Sequence, residues 1–473
     1  MQKSEIQNTR RTAMMPGLHL SVQFLGSLFP EHERSCLNER TFQNFIILPV
    51  QLYFSIRLPF HVLANIPTCT LMASSSTLVF LDLPPKTFVG IDLLSFNSSP
   101  NFHGISEVPS GLHFIYTGTD ASMSIRHGRW LEVESQAVHV LHWDGSDESL
   151  SLLAPDSETA VRSRASVPSL RSHNLITYAA LEAATADAQN SNSSDPATSS
   201  SQTTTSAWPA LINHISPTTI SRILPSTTHT LTSISSSPLD SDAEHIPGLT
   251  KSEALSALPA DSTLNLLPIN LKQTWSSDDI GTVRTERARD RSWYLSQLVQ
   301  SISQGQEHHV AAREVLGELQ FCFVMVVVLA NWSCMEGWKR ILGVVCTSSE
   351  ALEQVEGWFV EVVKVLRGQM ERVEDVEGGV FELREEAASA WLRDLLRKFR
   401  GNVEDVLGEG SRLERELKGL EEMMRETYGW EVGKGLLKRG MVQLEDGDMV
   451  EVSLDEADED EERGDWAPVI VET

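Results

Sequence analysis

Hydrophobic positions change their period once along this chain. Between residues 76 and 155 they come in short runs. Leu78-Val79-Phe80-Leu81-Asp82-Leu83 is stopped by Pro84-Pro85, and Phe88-Val89-Gly90-Ile91-Asp92 follows. Then come Leu112-His113-Phe114-Ile115-Tyr116, Trp130-Leu131-Glu132-Val133 and Ala137-Val138-His139-Val140-Leu141. Several short strands at close spacing with turn signals between them predict a sandwich or barrel. Pro109-Ser110-Gly111 fits the last three positions of a type I turn, because Pro presets φ and Gly ends the turn. Leu175 to Ala186 reads as a helix. From Trp293 the period is helical: Val315, Leu319, Cys322 and Val326 are three or four apart. So are Leu352, Val355, Phe359, Val362 and Leu366, then Trp391, Leu395 and Phe399, then Leu413, Leu417, Leu420 and Met424. Gly378-Gly379, Gly401 and Gly408-Glu409-Gly410 punctuate these stripes. The fold class is therefore α+β and multidomain: a β-rich domain over residues 72–186 and an α-helical domain over 263–440.

Between the two lies a Ser/Thr-rich linker, 187–262. Residues 187–206 are almost all Ser, Thr, Asn, Asp, Gln and Ala, a composition that cannot bury a core. Residues 208–224 form an island within it, where Ser216-Pro217 is suited to start a helix. Residues 1–71 follow no clear period. Met72-Ala73-Ser74-Ser75 reads as a protein start, so 1–71 is expected to be an upstream extension that is not native or is disordered; a targeting peptide is the alternative. At the other end, residues 445–465 hold 12 acidic side chains and one Arg, a block that repels itself and is expected to be extended. It ends in Trp466-Ala467-Pro468-Val469-Ile470-Val471-Glu472-Thr473. This strand-forming close to an acidic tail over 441–473 is suited to join another sheet, with folding back onto the chain's own sheet as the alternative.

The formal net charge of −27 over 473 residues argues against broad phosphate neutralisation and so against direct nucleic-acid binding. Five cysteines without a C-x-x-C pair exclude a zinc knuckle or thioredoxin motif and suggest a reducing compartment. The longest apolar run, Phe321 to Ala330, is about half of what a membrane-spanning helix needs, so no membrane partner is expected.

Two stretches carry a resemblance. The first is Phe88-Val89-Gly90-Ile91-Asp92, then Phe102-His103-Gly104-Ile105, then Val108-Pro109-Ser110-Gly111-Leu112-His113-Phe114. The second is Val315-Leu316-Gly317-Glu318-Leu319-Gln320-Phe321-Cys322-Phe323, then Trp338-Lys339-Arg340-Ile341-Leu342 and Cys346. Thr285-Glu286, Asp290-Arg291-Ser292 and the close Ala467-Pro468-Val469-Ile470-Val471-Glu472 add to it. In this order they resemble the AAR-two family of splicing factors, fungal-type members included, over residues 76–473. The resemblance departs in the N-terminal extension, the linker and the region from about 368 to 440.

The resemblance implies a β-sandwich-like N-terminal domain followed by an α-helical, VHS-like domain. It implies a pre-mRNA splicing factor and assembly chaperone of the U5 snRNP. Such a protein binds the RNase H-like and Jab/MPN-like domains of the large spliceosomal scaffold protein. It blocks premature helicase and RNA binding, and resides in cytoplasm and nucleus. On that reading Pro468, Val469, Ile470, Val471 and Glu472 bind the partner as a strand. Gly90, Ile91, Asp92, Pro109, Gly111, His113, Phe114, Leu316, Gly317, Glu318, Leu319, Gln320, Phe321, Trp338, Lys339 and Arg340 are a family signature with a structural role.

The residues offer no catalytic site and call for no cofactor, metal or small-molecule substrate. There is no G-x-S-x-G, Walker loop, H-E-x-x-H or Rossmann fingerprint. His103, His113, His139 and His142 are read as structural or surface histidines. His139 and His142, three apart on a strand, point to opposite faces. Arg284, Arg287, Arg289 and Arg291, interrupted by Glu286 and Asp290, are read as a salt-bridged helix face. Two alternatives stay open: a cupin-like enzyme holding a metal through His103 and His113, and a VHS-like peptide adaptor.

Overall fold

The computed structural model describes residues 76–119, 124–170, 174–192, 207–224, 226–237, 263–303, 307–373, 386–430, 432, 439–443 and 449–453. The extension 1–71, most of the linker and the residues from 454 onward lie outside them.

The N-terminal part is a sandwich of two five-stranded sheets. One contains β1 (Ser76–Leu81), β4 (Gly104–Val108), β7 (Val138–Asp144), β8 (Ser149–Leu152) and β9 (Leu175–Thr177), in the order β8-β7-β1-β4-β9. The other contains β2 (Phe88–Ile91), β3 (Leu94–Asn97), β5 (Gly111–Gly118), β6 (Arg126–Val133) and β10 (Thr230–Thr232), in the order β10-β6-β5-β2-β3. Alternation along each strand sends one set of side chains between the sheets. Leu78, Ile105 and Leu141 of the first sheet meet Ile91, Ile115 and Leu131 of the second there. The opposite parity of the first sheet, Val79 and Val140, is covered by Ala160 and Val167 of α1 (Glu158–Leu170).

The outer face of the second sheet is not solvated. Phe88, Phe114, Tyr116 and Trp130 are continuous with the helical core. That core is built on α7 (His308–Leu329), buried on all sides along its C-terminal half, with α8 (Trp332–Val345) beside it. Around them lie α3 (Trp208–Ile212), α4 (Pro217–Ile223), α5 (Thr282–Arg289), α6 (Ser292–Ser303), α9 (Glu350–Gln354), α10 (Glu356–Met370), α11 (Glu386–Leu407) and α12 (Arg412–Tyr428). The two modules thus share one apolar core.

Four local features differ from the sequence expectations. Leu175–Thr177 is a strand parallel to β4, and the helix α2 (Tyr178–Asn192) begins only after it. Thr230–Thr232, in sequence read as linker, adds to β6 as an edge strand, and the island 208–224 is packed into the helical core. The stripe from Leu352 to Leu366 is two helices, not one. The break falls at Val355, with φ −134° and ψ 41°, which three-and-four spacing cannot reveal. Finally, Arg439–Gln443 (β11) and Met449–Ser453 (β12) pair as an antiparallel hairpin at the start of the acidic tail. There Val450-Glu451-Val452 alternates apolar and acidic positions, so local strand pairing prevails over the charge. Of the arginines in α5, Arg287 pairs with Asp279 at 2.6 Å and lies over the Trp293 ring, and Arg284 lies over Trp275. Among the described residues no helix is long and apolar enough to cross a membrane.

Candidate partner-binding site

The β-domain signature closes on one buried polar node. Asp92 directly follows β2 with φ 59°, in the left-handed region that Asp tolerates better than most residues. From there its carboxylate accepts from the Phe114 backbone N–H at 3.0 Å and from the Tyr178 hydroxyl at 2.7 Å, and it meets His113 Nδ1 at 2.7 Å. His113 Nε2 faces the Pro109 carbonyl oxygen at 2.9 Å. Both ring nitrogens therefore meet acceptors, which a ring carrying two protons satisfies. Burial by itself would lower the His113 pKa. The Asp92 carboxylate and the hydrogen bonds to it and to Pro109 outweigh that, and the net shift is upward.

A histidine pKa raised by folding stabilises the fold fully below the unfolded value, about 6.5, and that contribution is lost as pH rises through the folded value. The stability difference between wild type and His113→Leu is therefore expected to be largest, about 3 kcal/mol, below pH 6.5 and to shrink above it. Urea unfolding of both proteins at stepped pH checks this; a difference that does not vary with pH would refute the charged assignment. The same contacts occupy both ring nitrogens of His113, while His103 Nδ1 meets Asn101 O at 2.9 Å. Among the described residues no group of three or more His, Cys, Asp or Glu is placed to hold a metal ion. Gly90, one turn of the pleat earlier, is where the Tyr116 ring crosses the strand; a Cβ would sit 2.0 Å from it.

The helical signature seats the island on α7. Gly317 faces the His214 carbonyl so closely that a Cβ would stand 2.7 Å from its oxygen. Gln320 uses both ends of its amide: Oε1 accepts from His214 N at 2.8 Å and Nε2 donates to Asn213 Oδ1 at 2.7 Å. Glu318 takes Arg222 at 2.6 Å and the Leu267 N–H at 2.7 Å. Burial pushes its pKa up, and Arg222 is the chief opposing influence. One turn before, Glu314 accepts from Ser216 at 2.8 Å and from Thr219 at 2.7 Å, the two residues of the capping box that opens α4. Leu316, Leu319 and Phe321 fill the core around these contacts.

The two signatures meet around Trp130. Its ring packs against Phe114 at 5.1 Å, Phe321 at 5.8 Å and Trp208 at 5.9 Å between centroids. Trp208 Nε1 donates to the Leu112 carbonyl at 2.8 Å, and Arg126 Nη1 donates to the Val328 carbonyl at 2.8 Å. Strand β5, strand β6, the island and α7 are thereby locked into one joint. Trp338 is fully buried in α8, and Lys339 sits over the rings of Trp332 and Trp391. Arg340 is half-buried on the same helix. Gly111 opens β5 with φ 137°, directly after Pro109-Ser110. Gly90, Ile91, Asp92, Pro109, Gly111, His113 and Phe114 are thus within one stretch of the second sheet. Pro468, Val469, Ile470, Val471 and Glu472 lie outside the described residues.

Sequence reading did not single out Trp130, Trp208, Tyr178, Arg222 or Asn331. Trp208 carried a usable signal, a lone indole bordering a Ser/Thr-rich tract. Asn331 carried the local signal of an N-cap, and Trp130, Tyr178 and Arg222 had none, because their partners are distant in sequence. Asn331 caps α8 through the Cys334 N–H, and its Nδ2 donates to the Thr232, Ser233 and Ser235 carbonyls. This junction carries an exposed apolar surface. Ile125, Ile234 and Trp332, at 53%, 68% and 66% exposure, flank it. Exposed apolar groups gathered at one place mark interaction surfaces, and Trp is the residue most enriched at binding hot spots.

Comparison with known proteins matches this architecture in both halves. The AAR2 N-terminal domain matches residues 74–225, and the AAR2 C-terminal repeat region matches residues 266–433. The chain is 24% identical over 326 residues to Protein AAR2 homolog of Mus musculus, and equally so to Protein AAR2 homolog of Homo sapiens. Each alignment covers 63% of this chain and 76% of the relative. With both of the family's domains present in order, joined through the signature residues of each, the chain belongs to the AAR2 family.

Proposed function

We propose that this chain is a non-enzymatic pre-mRNA splicing factor, an assembly chaperone of the U5 snRNP. It binds the RNase H-like and Jab/MPN-like domains of the large spliceosomal scaffold protein and holds off the unwinding helicase and RNA until the particle matures. It acts in cytoplasm and nucleus. The observation that carries this reading is the joint around Trp130, which makes two modules one body with exposed Ile125, Ile234 and Trp332 at the seam. A partner with two domains needs a rigid, two-part surface of this kind. The net charge of −27 supports exclusion of RNA from a shared site over its binding. The acidic tail ending in Pro468-Val469-Ile470-Val471-Glu472 is suited to add a strand to the partner.

Deleting residues 466–473 is expected to weaken scaffold capture by tenfold or more, since main-chain pairing and alternate side-chain pockets are lost together. Trp332→Ser is expected to cost about 1–2 kcal/mol of binding with no loss of fold. Pull-down and titration of the scaffold fragment containing both domains measure each effect. Full-strength capture by the truncated chain would sink the tail mechanism.

A further inference from the structure

The outer faces of the two sheets are covered, by α1 on one side and the helical core on the other. The space between the sheets opens at the edge where β8 ends one and β10 ends the other. A cavity of about 590 Å3 lies at this mouth, lined by Ile115, Leu150, His127, Arg129, Thr230 and Asp147 among others. That volume lies in the range of small-ligand sites.

Strand parity decides what faces it. Leu131 and Val133 of β6 belong to the apolar core between the sheets, so His127 and Arg129 project to the same side. The interior, apolar through most of the sandwich, becomes polar at its mouth, where Arg129 and His127 share the lining with Asp147. Arg129 is only 8% exposed. Its Nη2 donates to the Thr228 carbonyl at 2.9 Å, while its Nε is buried without a hydrogen-bond partner. No carboxylate among the described residues pairs with it. Thr117 Oγ1, opposite His127 in register, is likewise buried and unpartnered. A desolvated guanidinium lacking a counter-charge is costly, and burial pulls the Arg129 pKa down accordingly. A ligand anion at the mouth would supply the missing counter-charge.

We propose that this mouth binds a carboxylate, which pairs with Arg129 while the ligand's apolar body lies against Ile115 and Leu150. Arg recognises planar carboxylates in a fork geometry that Lys does not match. A multiply charged phosphate is disfavoured, because Asp147 stands in the lining with Glu148 beside it. The carboxylate comes either from a free monocarboxylic acid or from a glutamate side chain on a peptide.

Calorimetric titration of the full chain tests this with isovalerate, acetyl-Val-Glu-Val-amide, its Gln counterpart and inorganic phosphate. Saturable binding of isovalerate or of the Glu peptide is expected, and the tighter of the two identifies the source. Arg129→Met is expected to weaken that binding at least tenfold while leaving the free chain no less stable, since it removes an uncompensated charge. Asp147→Asn, at an exposed position, is expected to tighten binding several-fold. No saturation by either carboxylate at 10 mM (about 2.7 kcal/mol of binding) would overturn the proposal. So would phosphate or the Gln peptide binding as well as the carboxylates, or affinities that neither substitution moves. No spliceosomal protein enters the assay, so its result is independent of the function proposed above.

Discussion

Replacing Arg222 by Met lowers the stability of the folded chain by about 3 kcal/mol at neutral pH, the lower end of the range for breaking a buried ion pair. Glu318 is 1% exposed and keeps only the Leu267 N–H once the guanidinium is gone. The loss falls at the lower end because Arg222 itself is imperfectly served: its Nε and Nη2 are buried without partners, and Met removes that cost. Burial already raises the Glu318 pKa, with Arg222 the main influence holding it down, so the substitution raises it further. A carboxyl whose folded pKa exceeds the unfolded value destabilises the fold increasingly as pH rises through the folded value. The deficit of Arg222→Met is therefore largest at neutral pH and shrinks on acidification toward about pH 4.5, the ordinary glutamate range. Paired urea unfolding curves from pH 7.5 to 4.5 measure it. A deficit that is constant, or grows on acidification, would show that Glu318 is not the buried charge at stake.

Trp338→Ala is expected to cost about 3–5 kcal/mol, the range for removing a large aromatic from a packed core. The indole is fully buried between Phe323 and Trp391, with ring centroids 6.2 and 5.7 Å away. Its Nε1 donates to Gln369 Oε1 at 3.0 Å, and Gln369 is itself 1% exposed. Alanine thus leaves a cavity and a buried amide oxygen short of a donor, two separate penalties. Trp332→Ala, six residues earlier on the same helix, is the control. That ring is 66% exposed and its removal is expected to stay within about 0.5 kcal/mol. Chemical denaturation of both variants decides the matter. A loss below about 1.5 kcal/mol for Trp338→Ala would mean that the core can collapse into the space.

Both variants act where the signature residues sit, and those residues differ in how readable they were. Gly317, Glu318 and Gln320 stand out in sequence as a glycine and two polar residues within an apolar helical stripe. Polar groups in such a stripe must find partners, and the sequence cannot say where. The partners are His214, Asn213 and Arg222, about 100 residues earlier, in a segment bordered by Ser/Thr-rich sequence. Asp92 and His113 behave alike. Each reads as a polar residue at a strand end, and only the fold brings Tyr178 to complete their node. The helix α1 left no readable trace, because its sequence is weakly amphipathic and carries Pro168.

What the sequence determined by itself follows from local periodicity. The switch from short apolar runs to three-and-four spacing separates a β-rich module from a helical one, because backbone geometry alone sets those periods. Ser216-Pro217 marked the start of α4 for the same reason: capping chemistry is complete within four residues. The tertiary structure decided everything that depends on contacts between distant segments. It made Thr230–Thr232 a strand by giving β6 a free edge, and it ended α9 at Val355. It also turned two modules into one body by setting Phe114 and Phe321 on the same Trp130 ring. Burial of those rings is a property of the pair, and neither sequence segment carries it alone.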